Sequence, residues 1–215
     1  MSDAAPKFRR EPAGERREAL IEAALVLVAQ RGVRGATVRA IAEHAQVTQG
    51  LIRHYFSSKE DLMSAAYACH MERMTALTCT SAGKPQGSAR GRLGAFVTRS
   101  LMPPVVDPSS VSLWAGFLNT VREDAGMRSI HEQTYRDFRD RLEALISDAL
   151  REAKVAATPR ALRRLAIACN AVIDGLWMEG GALPDAFMAD ELPEIGVKSV
   201  GAIIGIDLTV KEERL

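Results

Sequence analysis

The chain has 215 residues, of which 47% are hydrophobic and 26% are charged, a composition that excludes an intrinsically disordered protein. Its 28 Lys and Arg residues nearly balance 27 Asp and Glu residues, so the formal net charge of +1 excludes a strong overall field toward nucleic acid or a membrane. The length suits one small domain joined to a larger one.

The N-terminal region shows the periodicity of helices. Between residues 14 and 31 apolar side chains recur at spacings of three and four, which predicts an amphipathic helix that Gly32 and Gly35 end. Thr37 and Thr48 each precede a short apolar stripe, and a threonine hydroxyl can accept a hydrogen bond from an amide at a helix start. We therefore predict two short helices that begin after these threonines.

A fourth, longer helix is predicted to begin near residue 57. The sequence Ser57-Ser58-Lys59-Glu60 has the S-x-x-E spacing of a capping box, in which Glu60 would reach back to the amide of the cap residue. The segment 80–91 is rich in Ser, Gly and Pro and is typical of a loop. We expect the domain boundary inside this helix or just after it.

The remaining sequence predicts longer helices and shows no alternating strand pattern. Their apolar stripes cover residues 93–101, 114–121, 130–149, 162–176 and, with three glycines, 193–206. Ser109 or Ser110 is the predicted cap of the second of these helices, and Thr158-Pro159 begins the fourth. The predicted fold class is all-α.

The second and third helices are separated by a tight turn, which is the arrangement of a helix-turn-helix. Their residues follow the pattern Thr37-x3-Ile41-Ala42-x2-Ala45-x-Val47-Thr48-x-Gly50-x-Ile52-x2-Tyr55-Phe56-x-Ser58-Lys59-Glu60-x-Leu62. This pattern closely resembles the DNA-binding region of TetR-family transcriptional regulators. The resemblance implies a flexible arm at 1–13, a DNA-binding domain at 14–74 with its helix-turn-helix at about 37–56, and a helical bundle at 75–215 for ligand binding and dimerisation.

The third helix is the recognition helix that the resemblance implies, and we expect it to enter the major groove of double-stranded operator DNA. Gln49 and Arg53 lie four residues apart on its polar face, so both can reach base edges, and Gly50 permits a close approach to the DNA backbone. Groups at helix ends are expected to contact phosphates. These candidates are Thr37, Arg39, Thr48, Tyr55 and Lys59. His54 is either another phosphate contact or a capping group.

The motif departs from the family's pattern at two positions. Gln46 occupies a turn position that is usually Gly, and a left-handed conformation is unfavourable for a residue with a side chain by about 1 kcal/mol. Arg53 stands where many members have Tyr, and its guanidinium can bridge O6 and N7 of a guanine.

The basic charge of the chain is concentrated around this motif. Residues 1–59 contain ten Lys and Arg residues against six Asp and Glu residues, which is a local charge of +4. Lys7, Arg9 and Arg10 precede the first helix. They form either an arm that enters the minor groove or a solvated, flexible tail.

Four further segments carry a second resemblance: His54-Tyr55-Phe56, Leu113-Trp114-Ala115-x-Phe117, Tyr135-x2-Phe138-Arg139 and Val172-Ile173-Asp174-Gly175-Leu176-Trp177. They look like the BetI subgroup of choline-responsive repressors of glycine-betaine synthesis, which makes choline or a related quaternary amine the expected effector. Aromatic faces attract such a cation. The candidates are Trp114, Phe117, Tyr135, Phe138 and Trp177, with Asp174 or Glu123 as the countercharge. Alternatively, these aromatic residues belong to the apolar core.

The helix that begins at Thr158 carries apolar residues on more than one face, which indicates burial against a second copy of the chain. The candidates for this homodimer interface are Leu162, Leu165, Cys169, Val172, Ile173 and Leu176. A dimer would set two recognition helices roughly 34 to 36 Å apart and would require a near-palindromic operator.

Other classes of protein find little support in the sequence. It shows neither a membrane span nor a secretory signal, so a cytoplasmic protein is expected. Cys69, Cys79 and Cys169 lack C-x-x-C pairing, which predicts reduced thiols and no metal site. Motifs for catalysis or a cofactor are missing, which argues against an enzyme. A DNA-binding regulator with a different effector, or with none, stays open as the alternative.

Overall fold

The computed structural model describes residues 13–79 and 87–209, and the statements below concern these residues. They form nine α-helices and a 3-10 turn at Pro184–Ala186, without a β-strand. The helices are α1 (Ala13–Gly35), α2 (Val38–His44), α3 (Gln49–Tyr55), α4 (Lys59–Cys79), α5 (Ala89–Ser100), α6 (Pro108–Glu123), α7 (Ala125–Glu152), α8 (Pro159–Ala182) and α9 (Glu191–Ile204). The all-α prediction is confirmed. The basic residues Lys7, Arg9 and Arg10 and most of the predicted loop lie outside the described residues.

The described residues divide into two compact units, one that ends at Ala66 and one that begins at Tyr67, with the division inside α4. In the first unit the apolar stripe predicted for α1 is buried, and α1 packs with α2, which in turn packs with α3. The buried residues of this unit's core include Leu20, Ala24, Val28, Ile41 and Ile52. Because Ile52 is the buried residue of α3, the other side of that helix is left to solvent.

The turn between α2 and α3 has the left-handed residue that the sequence predicts. Gln46 has a φ of 54°. Its amide donates to the carbonyl of Glu43 at 3.2 Å, and the amide of Val47 donates to the carbonyl of Ala42 at 2.9 Å. These two bonds form a Schellman motif, in which glycine is the usual residue at the position that Gln46 occupies.

Replacing Gln46 by glycine is therefore expected to stabilise the chain. Gln46→Gly should raise the free energy of unfolding by roughly 0.5 to 1 kcal/mol, because glycine adopts a positive φ without a clash at Cβ. Urea unfolding would measure the change. Ala45→Gly is the matched control: Ala45 has a φ of −80°, so glycine there should lower stability. Equal effects of the two substitutions would contradict strain at Gln46.

Two helix starts differ from the sequence prediction. The N-cap of α4 is Ser58, whose Oγ accepts from the amide of Asp61 at 3.0 Å, and Asp61 accepts from the amide of Ser57 at 3.0 Å. The capping residues are thus one position later than Ser57 and Glu60. At α6 the cap is Asp107, which accepts from the amide of Ser110 at 3.0 Å, because Pro108 then occupies the first helical position.

The core of the second unit lies among α5, α7, α8 and α9. Its fully buried members include Leu93, Phe96, Leu142, Ile146 and Val200. The aromatic rings of Phe96 and Phe138 meet with centroids 5.2 Å apart. Helices α6 and α4 lie beside this core, and a cavity separates part of α4 from α7 and α8.

Candidate nucleic-acid interface and ligand cavity

The solvent-facing side of α3 carries the residues predicted to contact DNA bases. Gln49, Gly50 and Arg53 are all exposed, whereas Ile52 on the other side is buried. The hydroxyl of Thr48 accepts from the amide of Leu51 at 3.3 Å, and this cap sets the first residue of α3. The structure thus brings the two predicted base-reading side chains to one free side of a short helix.

Gly50 has room for a side chain within the protein. A Cβ built on Gly50 would have only the Thr48 hydroxyl oxygen within 4 Å, at 3.8 Å. Glycine in a helix is less favourable than alanine by about 1 kcal/mol. The packing of this unit therefore gives no reason for glycine at this position, and a close approach by an external molecule would give one.

Four of the predicted phosphate contacts already have hydrogen-bond or ion-pair partners inside the protein: Thr48, which caps α3 as described above, and Thr37, Arg39 and Lys59. The Thr37 hydroxyl accepts from the amide of Ala40 at 3.2 Å, which caps α2. The Arg39 guanidinium pairs with Glu43 at 2.9 Å on the surface of α2. The Lys59 ammonium donates to the carbonyl of Val33 at 2.9 Å and so joins the start of α4 to the end of α1. An ammonium has three donors, which leaves Lys59 two for a phosphate.

His54 and Tyr55 stand at the end of α3. The His54 ring is exposed and meets the half-buried Tyr55 ring edge to face, with centroids 5.1 Å apart. The residue that caps the end of α3 is Phe56. The position of His54 is therefore compatible with a phosphate contact.

The second unit contains a cavity of about 90 Å³ between α4, α6, α7 and α8. Four of the predicted aromatic residues line it: Trp114, Tyr135, Phe138 and Trp177. The two indole rings are nearly perpendicular, at 86°, with centroids 6.0 Å apart, so they form a corner of the cavity. Trp177 is held in place because its Nε1 donates to the carbonyl of Val105 at 2.8 Å.

One carboxylate faces this aromatic lining. Asp174 lines the cavity, and its Oδ2 accepts from Nδ2 of Asn170 at 2.7 Å. Burial raises the pKa of Asp174 to about 6, while the hydrogen bond from Asn170 and the charge of Arg139 oppose the rise. The negative charge at neutral pH is therefore incompletely compensated by the protein.

One further polar group in the lining, the indole N–H of Trp114, is incompletely satisfied. The indole N–H of Trp114 is buried and, among the described residues, has no hydrogen bond of regular geometry. It nevertheless lies close enough to the Tyr135 hydroxyl to oppose a rise in the pKa of Tyr135. The net effect on Tyr135 is a pKa raised to about 12, first by burial and then by the charge of Asp174. An aromatic cavity with one carboxylate suits a small organic cation, since ring faces and the negative charge both attract it.

The structure corrects two of the predicted ligand contacts. Phe117 is completely buried and does not line the cavity, because its ring packs on Tyr67 with centroids 5.0 Å apart. Glu123 is exposed at the end of α6 and is not part of the lining either, which leaves Asp174 as the countercharge. The prediction also missed Asn170 and His70, which line the cavity. The position of Asn170 four residues before Asp174 in a helix could have indicated its role.

The predicted dimer interface needs a similar correction. Cys169 and Ile173 are buried in the core of their own chain, so they cannot form a surface for a second copy. Leu162, Leu165 and Leu176 are partly buried against the same core, and Val172 is half-buried. The error arises because α8 is apolar on two sides. Its exposed side carries Ile167, Ala168, Ala171 and Met178, and the exposed side of α9 carries Ile195 and Ala202.

The described residues contain neither a membrane-spanning helix nor a cluster of metal ligands. No helix within 13–79 and 87–209 is long and apolar enough to cross a membrane. Within the same ranges, no three His, Cys, Asp or Glu side chains are grouped so that they could hold a metal ion.

Two protein-family models match the chain. Residues 20–66 match the model of the bacterial regulatory proteins of the tetR family. Residues 89–205, more than half of the chain, match the C-terminal domain of BetI-type transcriptional repressors. These two segments contain the helix-turn-helix and most of the cavity lining, respectively.

Individual relatives agree with these matches. The HTH-type transcriptional regulator BetI of Paraburkholderia phymatum is 28% identical over 173 residues, which are 80% of this chain and 84% of that protein. A crystal structure of a transcriptional regulator from Pseudomonas aeruginosa has 30% identity, a TM-score of 0.81 and 93% coverage of both chains. A regulator from Saccharomonospora viridis in complex with choline has a TM-score of 0.70 over 89% of this chain and 96% of its own. Its 19% identity shows a shared fold alone.

Proposed function

This chain belongs to the TetR family of transcriptional regulators, with a C-terminal domain of the BetI type, and we propose that it is a homodimeric repressor whose DNA binding responds to a quaternary amine such as choline. As a member of a family of regulators it is not an enzyme. The exposed residues of α3 are proposed to contact DNA bases, and the residues predicted at the helix ends around α3 are proposed to contact phosphates. The proposed effector site is the aromatic cavity of the second unit.

The observation that carries the effector proposal is the pairing of Asp174 with the corner formed by Trp114 and Trp177. A quaternary ammonium cannot donate a hydrogen bond, so it is held by ring faces and by charge. Each cation–π contact contributes about 0.5 to 2 kcal/mol, more when water is excluded. The choline complex of the Saccharomonospora viridis regulator supports this choice of ligand.

The effector would act by changing the equilibrium between two arrangements of the dimer. Two recognition helices fit successive major grooves when they are roughly 34 to 36 Å apart. An effector that binds more tightly to an arrangement with another spacing lowers DNA affinity by the ratio of its two affinities. Helix α4 begins in the first unit and lines the cavity in the second, so it provides a continuous connection between them.

Selection from random double-stranded DNA, followed by titration with choline, tests the proposal. We expect enrichment of a near-palindromic sequence and loss of binding as choline is added. Glycine betaine and trimethylamine N-oxide serve as controls, because their negative groups should be repelled by Asp174. Enrichment without a response to any quaternary amine would favour a regulator with another effector or with none.

The dimer is proposed to form through the exposed sides of α8 and α9. Ile167→Glu, alone or with Ile195→Glu, should give a monomer at micromolar concentration, because an unpaired carboxylate would be buried at the interface. Analytical ultracentrifugation measures the mass. Val155→Glu is the matched control, since Val155 is an exposed apolar residue outside both helices. A dimer that tolerates Ile167→Glu would place the interface elsewhere.

Gly50 offers a test in which stability and DNA binding change in opposite directions. Gly50→Ala should raise the free energy of unfolding by about 0.5 kcal/mol, because the helix gains a better former and the new methyl group meets no close neighbour. The same methyl group should weaken operator binding roughly tenfold or more by holding the DNA backbone away. An unchanged DNA affinity would contradict the proposed close approach of the DNA backbone to Gly50.

A further inference from the structure

A second hollow lies between α4 and α7, on the solvent side of the cavity wall. It measures about 210 Å³ and is lined by Glu72, Thr75, Ala76, Thr134, Asp137 and Arg141. Thr75 and Thr134 also line the aromatic cavity. We call the second hollow the vestibule. The two threonines are therefore the partition between the vestibule and the cavity.

This partition is a weak part of the wall. The backbones of α4 and α7 are not among the closely packed helix pairs of this unit, unlike those of α7 and α8. The Thr75 hydroxyl donates to the carbonyl of Met71 at 3.0 Å, and the Thr134 hydroxyl donates to the carbonyl of His131 at 3.0 Å. Each hydroxyl is thus bonded within its own helix. Helices α4 and α7 are joined by a hydrogen bond between the Tyr67 hydroxyl and Nδ1 of His131 at 2.5 Å, but neither threonine takes part in it. A local movement at Thr75 and Thr134 would therefore open the partition without breaking that bond.

The vestibule has a charge that suits a cation. Glu72 and Asp137 contribute two carboxylates and Arg141 contributes one guanidinium, so the formal charge is −1. Both carboxylates are exposed to solvent, where they can act on an approaching ion. A hollow lined by one excess charge raises the local concentration of ions of the opposite sign.

We propose that the vestibule is the access route to the cavity and that it selects small organic cations over anions. The identity of the cation rests on the proposed function above, but the route does not. It depends only on the continuity of the two hollows across Thr75 and Thr134.

Quenching of tryptophan fluorescence tests the route without any assumption about the effector. The chain has two tryptophans, and both line the cavity. Ala76→Leu fills the vestibule without touching the cavity, so it should lower the quenching constants of caesium, iodide and acrylamide together. Ala144→Leu is the matched control, because Ala144 is exposed on α7 and lines neither hollow.

The charge of the vestibule has its own pair of variants. Asp137→Asn should lower quenching by caesium roughly twofold and leave quenching by neutral acrylamide unchanged. Asp140→Asn removes another exposed carboxylate of α7 that lines neither hollow, and it should change neither constant. Equal effects of Asp137→Asn and Asp140→Asn would overturn the proposed selectivity.

Choline kinetics separate the route from the proposed effector. If choline binds, Ala76→Leu should slow its association and its dissociation by the same factor and leave Kd unchanged, because a route does not alter the end states. Quenching that is unaffected by Ala76→Leu overturns the route even if choline binds normally. Reduced quenching in a protein that fails to bind choline would keep the route and reject the effector.

Discussion

An Asp174→Asn variant is expected to bind choline roughly tenfold or more weakly than the native chain and, at pH 8, to be more stable by about 3 kcal/mol. Both effects have one cause: the carboxylate of Asp174 is held in a largely apolar cavity where burial raises its pKa to about 6. Ionised Asp174 attracts a cation, and in the absence of a cation its charge opposes folding. Asparagine keeps the shape and removes the charge.

The sign of the stability effect follows from the direction of the pKa shift. The pKa of Asp174 in the folded chain lies above the value of about 3.9 for an unfolded aspartate. Proton binding therefore favours the folded state, fully below about pH 4, and this contribution is lost as the pH rises through about 6. Native and variant chains should be similar in stability at pH 4 and differ most above pH 7. Urea unfolding without choline measures the difference.

Choline affinity should depend on pH in the opposite direction. The affinity of the native chain should be constant above pH 7 and should fall by up to about tenfold per pH unit below pH 6, because a protonated Asp174 has no charge to offer. The affinity of Asp174→Asn should be low and independent of pH over the same range. His70 also lines the cavity, and Tyr135 and Arg139 act on Asp174 from α7, so the variant is needed to assign the pH dependence.

Asp140→Asn is the control for both measurements, since Asp140 is exposed and does not line the cavity. Stability that is unchanged at pH 8 in Asp174→Asn would mean that the carboxylate is well solvated. Unchanged choline affinity would mean that the cation is held by the aromatic rings alone. If Asp174 is retained for binding at the expense of stability, its replacement should give a chain with higher stability and lower choline affinity.

The helix-turn-helix could be predicted from sequence because its signals are local. Thr37 and Thr48 cap the two short helices as expected, and the left-handed turn falls at Gln46. The capping residues of α4 and α6 were harder to predict, because several adjacent Ser, Asp and Glu residues can each accept from a helix amide. The backbone conformation determines that Ser58 and Asp107, and not their neighbours, accept these hydrogen bonds.

The cavity could be predicted only in part, because helical periodicity marks the inner side of a helix without separating core from cavity. Tyr135 and Phe117 carry the same apolar signal, yet one lines the cavity and the other is packed against Tyr67. The same limit applies to α8, where Cys169 and Ile173 share the periodicity of an interface but face the core. Deciding between these outcomes requires the positions of neighbouring helices, which no local pattern contains.

An Arg53→Ala variant is expected to lose about 1 to 3 kcal/mol of binding free energy on the selected operator and to lose its preference at one base pair of each half-site. The reason is that a guanidinium in the major groove makes two hydrogen bonds to O6 and N7 of a single guanine. Arg53 is exposed on the free side of α3, where such contacts are possible. Binding measured on the operator and on its single-base variants gives both quantities.

Arg39→Ala is the matched control, since Arg39 is an exposed arginine of the same helix-turn-helix that is paired with Glu43 on α2. Its removal should weaken all DNA sequences alike, by less than Arg53→Ala does on the operator, and should leave base preference intact. If Arg53→Ala also weakened every sequence equally and reduced the dependence of binding on salt, its guanidinium would be a phosphate contact. Base recognition would then depend on Gln49 and on the shape of the DNA, because Arg53 and Gln49 are the long polar side chains that this side of α3 presents.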